Sequence, residues 1–243
     1  MAFTINTRTL TDTATKSVFM AFGIDSSPAA AASATIYDSS AATYALATLT
    51  LSAATSASDT FVIGEIVTAD SISMVVQDHT TGGTTMTVYR CTSGTDDTPL
   101  GWSGTTLPGT SQAIVGSISG THTVTTHSST TGTFNARTVQ INGVRWSVNG
   151  AESVKLQYGG TSTQDIGYFT GSGVWDYTNH AYPITMGSAT GGAAAGDILL
   201  STAAAGAQYD TITMMLEVKK LTGFNTPNYE GNLGNQYALP GRY

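Results

Sequence analysis

Residues 60–92 (TFVIGEIVTADSISMVVQDHTTGGTTMTVYRCT) contain three short apolar runs separated by turn-forming residues, and this pattern restricts the fold more than any other feature of the chain. Gly64-Glu65 interrupts the first run with a bend, and a second run follows at 71–77. After the turn at 80–83, residues 84–91 alternate between polar and apolar side chains. A period of two places one face of a strand in a core and the other toward solvent. The stretch therefore predicts a compact antiparallel β-unit.

The composition of the whole chain favours β-structure throughout. Its 243 residues include 43 Thr, 24 Ser and 27 Gly, whereas charged residues make up only 10%. A typical soluble domain has about 25% charged residues. Thr is β-branched and suits a half-exposed strand, and Gly suits turns and bulges. Because 40% of the residues are hydrophobic, we expect an all-β protein with a buried core.

The order of strands and linkers predicts a module inserted into a host domain. Short strands continue through 112–124, and Ser/Ala/Thr-rich segments flank the region on both sides. We therefore predict a small β-barrel or β-sandwich module at 58–128. The host, a β-sandwich or jelly-roll-like domain, would comprise residues 1–57 and 129–220. An extended C-terminal tail would follow at 221–243, where the sequence has no periodic pattern.

Three local patterns carry more specific predictions. Residues 11–23 (TDTATKSVFMAFG) place apolar side chains at helical spacing and end in a glycine, which predicts one short N-terminal helix. Residues 138–148 contain Asn142-Gly143, the dipeptide that most strongly favours a two-residue hairpin turn. The most regular strand pattern in the chain lies at 209–218 (YDTITMMLEV).

The charge distribution argues against nucleic acid and anionic membranes as partners. The net charge is −7, and among nine Lys and Arg only Lys219 and Lys220 are adjacent. Binding to phosphates or anionic lipids requires clustered basic side chains. No apolar run reaches the roughly 20 residues of a membrane span, and residues 1–10 lack the apolar core of a signal peptide. We expect synthesis in a host cytoplasm.

Residues with catalytic or metal-binding chemistry form no recognisable motif, so we expect no enzyme activity, cofactor or metal. His122 and His127 are five positions apart, which puts them on opposite faces of a regular strand. Asp96 and Asp97 could contribute to a calcium site, but calcium takes six to eight oxygens, and Asp is also common in turns. Cys91 is the only cysteine and is expected to be a buried, inert thiol.

Three features of the chain resemble structural proteins of tailed bacteriophage particles. The segments TFVIGEIVTADSISMVVQD and TTMTVYRCTSG are similar to F-x-x-G-E-x-V repeats of phage virion proteins. The segment INGVRWSVNGAESVKLQYGG is similar to hairpins in the host sandwiches of such proteins. The third feature is the combination of Lys-poor, Thr/Gly/Ala-rich strands with an aromatic tail. The resemblance implies a non-enzymatic, oligomeric virion component that decorates or cements a capsid, or that belongs to the neck, tail or fibres.

The resemblance also implies contacts with the major capsid protein or other virion proteins, made by rigid β domains and extended termini. An extended arm can add to an exposed sheet edge, and buried aromatic side chains dominate many interfaces. The candidate anchors are Phe3, Phe224, Tyr229, Tyr237 and Tyr243. Chain ends also fray often, so the sequence leaves both behaviours open for these termini.

A module that binds host glycans is the alternative function. Aromatic rings beside carboxylates describe a sugar-binding groove as well as the core and edges of a sandwich. The candidates are Trp146, Trp175 and Tyr177. Exposure of these rings together on one face would favour the glycan-binding alternative.

Overall fold

The computed structural model describes residues 4–24, 33–102, 107–126, 132–149, 153–177, 184–185, 195–202 and 211–225. These ranges contain eighteen strands and no helix, so the all-β class is confirmed. The strands are β1 (Thr4–Asp12), β2 (Lys16–Ile24), β3 (Ser33–Tyr37), β4 (Leu46–Thr50), β5 (Ile66–Ala69), β6 (Ile72–His79), β7 (Thr85–Ser93), β8 (Asp96–Pro99), β9 (Ala113–Gly116), β10 (Gly120–Thr125), β11 (Gly132–Phe134), β12 (Val139–Asn149), β13 (Val154–Tyr158), β14 (Gln164–Phe169), β15 (Gly171–Asp176), β16 (Ile184–Thr185), β17 (Ile198–Thr202) and β18 (Thr211–Lys220).

The strands form three sheets in which neighbouring strands run antiparallel. The six-stranded sheet has the order β1-β2-β18-β12-β15, and β16 also pairs with β12. The eight-stranded sheet has the order β10-β9-β5-β6-β7-β4-β11, and β8 pairs with β7. The four-stranded sheet has the order β14-β13-β17-β3. The predicted strand at 209–218 corresponds to β18, which lies between β2 and β12.

The predicted N-terminal helix at 11–23 is wrong, because this segment belongs to the hairpin of β1 and β2. Along β2 the buried side chains are Ser17, Phe19 and Ala21, which follow a period of two. Val18 and Phe22 are also apolar, but they lie on the opposite face of the strand. The helical spacing arises because both faces of β2 carry apolar residues. Pairing with β1 on one side and β18 on the other decides the structure.

The predicted hairpin at 138–148 is also wrong, since β12 runs through this region as one strand. Its register with β18 shifts between Ile141 and Gly143, so Asn142-Gly143 forms a bulge and not a turn. An interior strand is paired on both sides, and a bulge absorbs one extra residue without ending either ladder. Here the partners are β18 and β15.

The six-stranded and four-stranded sheets face each other as in a sandwich. The hydroxyl of Tyr158 in β13 accepts a hydrogen bond from the backbone nitrogen of Ile141 in β12 at 3.2 Å. The ring of Trp146 in β12 packs against that of Phe169 in β14, with centroids 5.0 Å apart. Hydroxyl groups and rings on the inner faces therefore join the two layers.

One hydrophobic core cluster takes buried side chains from all three sheets, including Phe19, Met86 and Leu156. The strands of the eight-stranded sheet, β4 to β11, span 46–134 and extend beyond 58–128 on both sides. The eight-stranded sheet therefore shares its core with the other two sheets and extends beyond the predicted module. The division into an inserted module and a host stays a prediction.

A buried ion pair joins the ends of β1 and β18 to the loop before β4. The ammonium of Lys220 donates to Oδ1 of Asp12 at 2.6 Å, to the carbonyl of Thr13 at 2.7 Å and to the carbonyl of Thr43 at 2.6 Å. These three acceptors use all three of its protons. Asp12 also accepts a hydrogen bond from the hydroxyl of Ser17 at 2.6 Å. The first and last described strands of the six-stranded sheet are thereby fixed to each other.

Candidate functional site

β1 is an edge strand that is exposed on both faces over most of its length. Among the described strands it pairs only with β2, so its other backbone edge has no strand beside it there. Only Ile5 and Asp12 are half-buried, and the other seven residues are exposed. A bulge between Thr9 and Thr11 leaves Leu10 44% exposed. β1 therefore offers side chains and backbone hydrogen-bonding groups to a partner.

A groove of about 190 Å³ lies where the edges of the six-stranded and four-stranded sheets meet, between β1 and β3. Thr7, Thr9 and Thr35 line it, together with Asp12 and the buried Tyr37. Its lining is rich in hydroxyl groups, which can donate and accept hydrogen bonds. The groove therefore suits polar chain placed along β1 better than a purely apolar ligand.

The outward face of the six-stranded sheet beside β1 carries exposed apolar side chains among charged ones such as Arg145 and Glu217. Phe22 and Ile24 of β2 are 40% and 52% exposed, and Val174 of β15 is 59% exposed. The register aligns Met20 of β2 with Met215 of β18, and this row continues through Arg145 of β12 to Val174. Alternate residues of a strand share a face, so these side chains form one surface. This surface is continuous with the edge strand.

The structure describes one of the five predicted anchors. Phe224 is 4% exposed, forms a bridge with Ala45, and its ring lies 5.4 Å from the ammonium of Lys220. Its ring therefore packs within its own chain. The remaining anchors lie outside the described residues: Phe3, Tyr229, Tyr237 and Tyr243.

The three glycan-face candidates lie together in one aromatic cluster. Trp146 and Trp175 contact each other edge to face with centroids 5.6 Å apart, and both pack against Phe169. Tyr177 joins the cluster 6.1 Å from Trp175. An added Cβ at Gly173 would lie 2.4 Å from the ring of Trp146, so this glycine makes room for the indole. The half-buried rings engage one another edge on, which is a packing geometry and differs from a flat platform for stacking a sugar.

Four polar side chains form a network beneath the turn between β9 and β10. The hydroxyl of Ser119, in the turn, lies 2.6 Å from Nε2 of His122 and also 2.6 Å from Oε1 of Glu65. Nδ1 of His122 lies 2.8 Å from Oδ1 of Asp59. The ring of Phe61 packs on that of His122, with centroids 3.9 Å apart. The network therefore joins the segment before β5 to the β9–β10 hairpin.

The inner members of this network are buried, and the outer one faces solvent. Glu65 and His122 are 1% and 6% exposed, whereas Ser119 is exposed. Oε2 of Glu65 has no hydrogen-bond partner among the described residues. Gly116 permits the close approach, because an added Cβ there would lie 2.3 Å from Oε1 of Glu65 and 2.5 Å from the Ser119 hydroxyl.

The hydroxyl of Ser119 has one proton and two neighbouring acceptors, so it can donate to only one of them at a time. In the structure it donates to Oε1 of Glu65 at 2.6 Å. Rotation of the hydroxyl would instead direct the proton to Nε2 of His122, which lies at the same distance of 2.6 Å. Glu65 and His122 are therefore competing acceptors for the Ser119 proton.

Apart from His122, none of the described residues considered for metal binding or thiol chemistry is a member of this network. His127 is outside the described residues. Asp96 accepts hydrogen bonds from the backbone nitrogen and the hydroxyl of Thr98, as in a turn. Within the described ranges, no three His, Cys, Asp or Glu side chains converge as metal ligands. Burial raises the pKa of the Cys91 thiol to about 11, so the thiol stays protonated at neutral pH.

Comparisons with protein-family models, with curated proteins and with solved structures gave no match to this chain. The described residues also form no helix long and apolar enough to cross a membrane. The sites themselves therefore carry the evidence for function. The sequence alone presents His122 only as a possible metal ligand and gives no reason to select Ser119 or Asp59. Glu65 is the residue in the sequence that indicates this network. It is a carboxylate between two apolar runs, and a buried carboxylate requires a hydrogen-bonding or charged partner.

Proposed function

We propose that this protein is a structural component of a tailed bacteriophage particle, where it decorates or cements the capsid. In this proposal β1 binds a strand of the major capsid protein. The exposure of β1 carries the proposal, since a nine-residue edge strand open on both faces gains little from burial in its own domain. The resemblance of the sequence to phage virion proteins supplies the class of partner.

The edge of β1 lacks most features that protect sheet edges from other strands. Proteins usually guard an edge with Lys, Pro, short strands or a covering loop. β1 contains no Pro and no Lys; its charged residues are Arg8 and Asp12, and Asp12 is engaged with Lys220. Backbone hydrogen bonds from an added strand would supply affinity, and the threonine-lined groove would hold alternate side chains of that strand.

The exposed apolar side chains of the adjoining face give the proposed contact a hydrophobic part. Phe22 and Ile24 stand beside β1 in the register, opposite Asn6 and Thr4. A stable interface buries roughly 800 Å² on each partner, which one edge strand alone does not provide. Edge and face together offer a surface that copies of the chain can present with the symmetry of a capsid.

A neck or tail component is the alternative within the same class. It would use the same edge strand but would occur in few copies, so copy number separates the two. The glycan-binding alternative gains no support from the edge-on packing of Trp146 and Trp175.

Amide hydrogen exchange tests the proposed role of β1. In an antiparallel edge strand about half of the amides point away from the neighbouring strand, so in the free protein these amides of β1 should exchange quickly. On purified particles they should slow at least about tenfold, because a partner carbonyl then accepts from them.

β18 is the matched control for this exchange measurement, because it lies between β2 and β12 in the same sheet. Its amides should be protected equally in the free and the particle-bound protein. Unchanged exchange along β1 in protein that is bound to particles would contradict the assignment of this edge.

A further inference from the structure

Ser119, His122 and Asp59 have the contacts of a serine nucleophile with its base and its orienting carboxylate. The hydroxyl of Ser119 lies 2.6 Å from Nε2 of His122, and Nδ1 of His122 lies 2.8 Å from Asp59. A catalytic triad of this kind is recognised by the geometry and the roles of its three side chains, and the order of these residues in the chain can differ. We propose that Ser119 is an activated nucleophile that accepts acyl or phosphonyl groups from electrophilic esters of aliphatic compounds.

The position of His122 suits a general base. An ionised Asp59 can only accept hydrogen bonds, so it fixes a proton on Nδ1 and leaves the lone pair of Nε2 toward Ser119 in the neutral ring. The ring is 6% exposed and packs against Phe61, which holds its orientation. Ser119 can therefore donate to this lone pair when its hydroxyl turns from Glu65 to His122.

The location of Ser119 gives a reagent access to it. The residue lies in the turn between β9 and β10 and is exposed, although its base is buried. The adjacent Ile118 is 69% exposed. This aliphatic neighbour favours alkyl or short acyl groups, and the carboxyl groups of the network disfavour anionic substrates.

The transfer step balances without any further reactant. With an alkyl fluorophosphonate, the Ser119 oxygen attacks phosphorus, the O–P bond forms and the P–F bond breaks, with its electron pair leaving on fluoride. The hydroxyl proton passes to Nε2 of His122, which keeps its hydrogen bond to Asp59. With a carboxylic ester, the leaving alkoxide takes that proton and departs as an alcohol, and water then hydrolyses the acyl-serine.

Glu65 restrains this nucleophile. As a carboxylate it competes with His122 for the hydroxyl proton, and its charge lies beside the oxygen on which negative charge would develop. Glu65→Gln keeps the shape of the side chain and removes the charge, so it should speed the reaction of Ser119 several-fold. A slower reaction in this folded variant would overturn the restraining role.

The test is labelling of the intact protein with an alkyl fluorophosphonate, followed by mass-spectrometric mapping of the modified residue. Ser117 is the internal control, because it is exposed in the same turn but its hydroxyl accepts a hydrogen bond from the backbone nitrogen of Ile66. Ser119 should be labelled at least about ten times faster than Ser117. Equal labelling rates of the two serines in the wild-type protein would by themselves overturn the proposal.

Two variants separate activation by His122 from simple exposure. His122→Gln should slow labelling of Ser119 by at least about tenfold. Asp59→Asn keeps the imidazole but favours the wrong tautomer, so it should slow labelling and change its pH dependence. The unfolding midpoint shows whether the His122→Gln variant is folded. If Ser119 in the folded variant is labelled as fast as in the wild type, His122 does not activate Ser119 and the proposal fails.

Discussion

Replacing Lys220 with alanine is expected to lower the free energy of unfolding by about 3–5 kcal/mol, because it leaves a buried network without its cation. Lys220 is 1% exposed. Its ammonium is the donor to Asp12 and to the carbonyls of Thr13 and Thr43. Alanine would leave these acceptors without that donor and would open a cavity beneath Phe224, whose ring covers the ammonium. Urea unfolding followed by tryptophan fluorescence measures the change.

Lys219→Ala is the matched control for this substitution. Lys219 precedes Lys220 on β18, but its side chain is on the exposed face of the strand. Its replacement should change the free energy of unfolding by less than about 0.5 kcal/mol. Equal effects of the two substitutions would show that the buried network contributes nothing beyond the loss of one charge.

The same pair makes the effect of Lys220→Ala depend on pH. Burial acts to raise the pKa of Asp12, but the charge and hydrogen bond of Lys220 outweigh burial and hold this pKa below its ordinary value of 3.8. A carboxyl whose pKa is lower in the folded protein contributes stability above its unfolded pKa and loses it as the pH falls through the folded pKa. The difference between wild type and variant should therefore be constant near neutral pH and shrink below about pH 4.

Gly101→Ala should destabilise the protein by at least about 3 kcal/mol, because the added methyl group would overlap the backbone. The new Cβ would lie 1.6 Å from the carbonyl oxygen of Ala41 and 2.4 Å from its carbon. The Gly101–Trp102 segment cannot withdraw freely. The carbonyl of Gly101 accepts a hydrogen bond from Arg90, and the next residue, Trp102, is 1% exposed and donates its indole proton to Ala45.

Gly94→Ala provides the comparison for the second prediction, and thermal unfolding of both variants measures the difference. An added Cβ at Gly94 would lie 3.6 Å from the hydroxyl oxygen of Thr68, an ordinary contact distance. Its effect should stay below about 1 kcal/mol. A Gly101→Ala variant as stable as Gly94→Ala would contradict the close packing of the Trp102 segment against residues 40–45.

The sequence is sufficient to predict the fold class and several strands, since alternation and β-branched composition report directly on pleated structure. Predictions from the sequence are wrong where both faces of one strand are apolar, or where a dipeptide typical of turns lies in an interior strand. β2 looks helical because Val18 and Phe22 are apolar residues on the outer face while Phe19 and Ala21 face the core. Asn142-Gly143 signals a hairpin, but pairing of β12 on both sides turns it into a bulge.

The candidate sites depend on contacts that the sequence does not contain. Asp59 and His122 are 63 positions apart, and Glu65 and Ser119 are 54 apart. The β5–β9 pairing brings them together, and this register is a property of the folded sheet. The edge position of β1 likewise follows from the strand order, which periodicity along the chain does not reveal.

Quantitative mass spectrometry of purified particles from the source, scaled to the major capsid protein, tests the central claim most directly. The proposal predicts a copy number comparable to that of the major capsid protein. A copy number on the order of six or twelve, as expected of cyclic rings, would assign the protein to the neck or tail and reject the capsid role. Absence of the protein from the particles would contradict a virion function altogether.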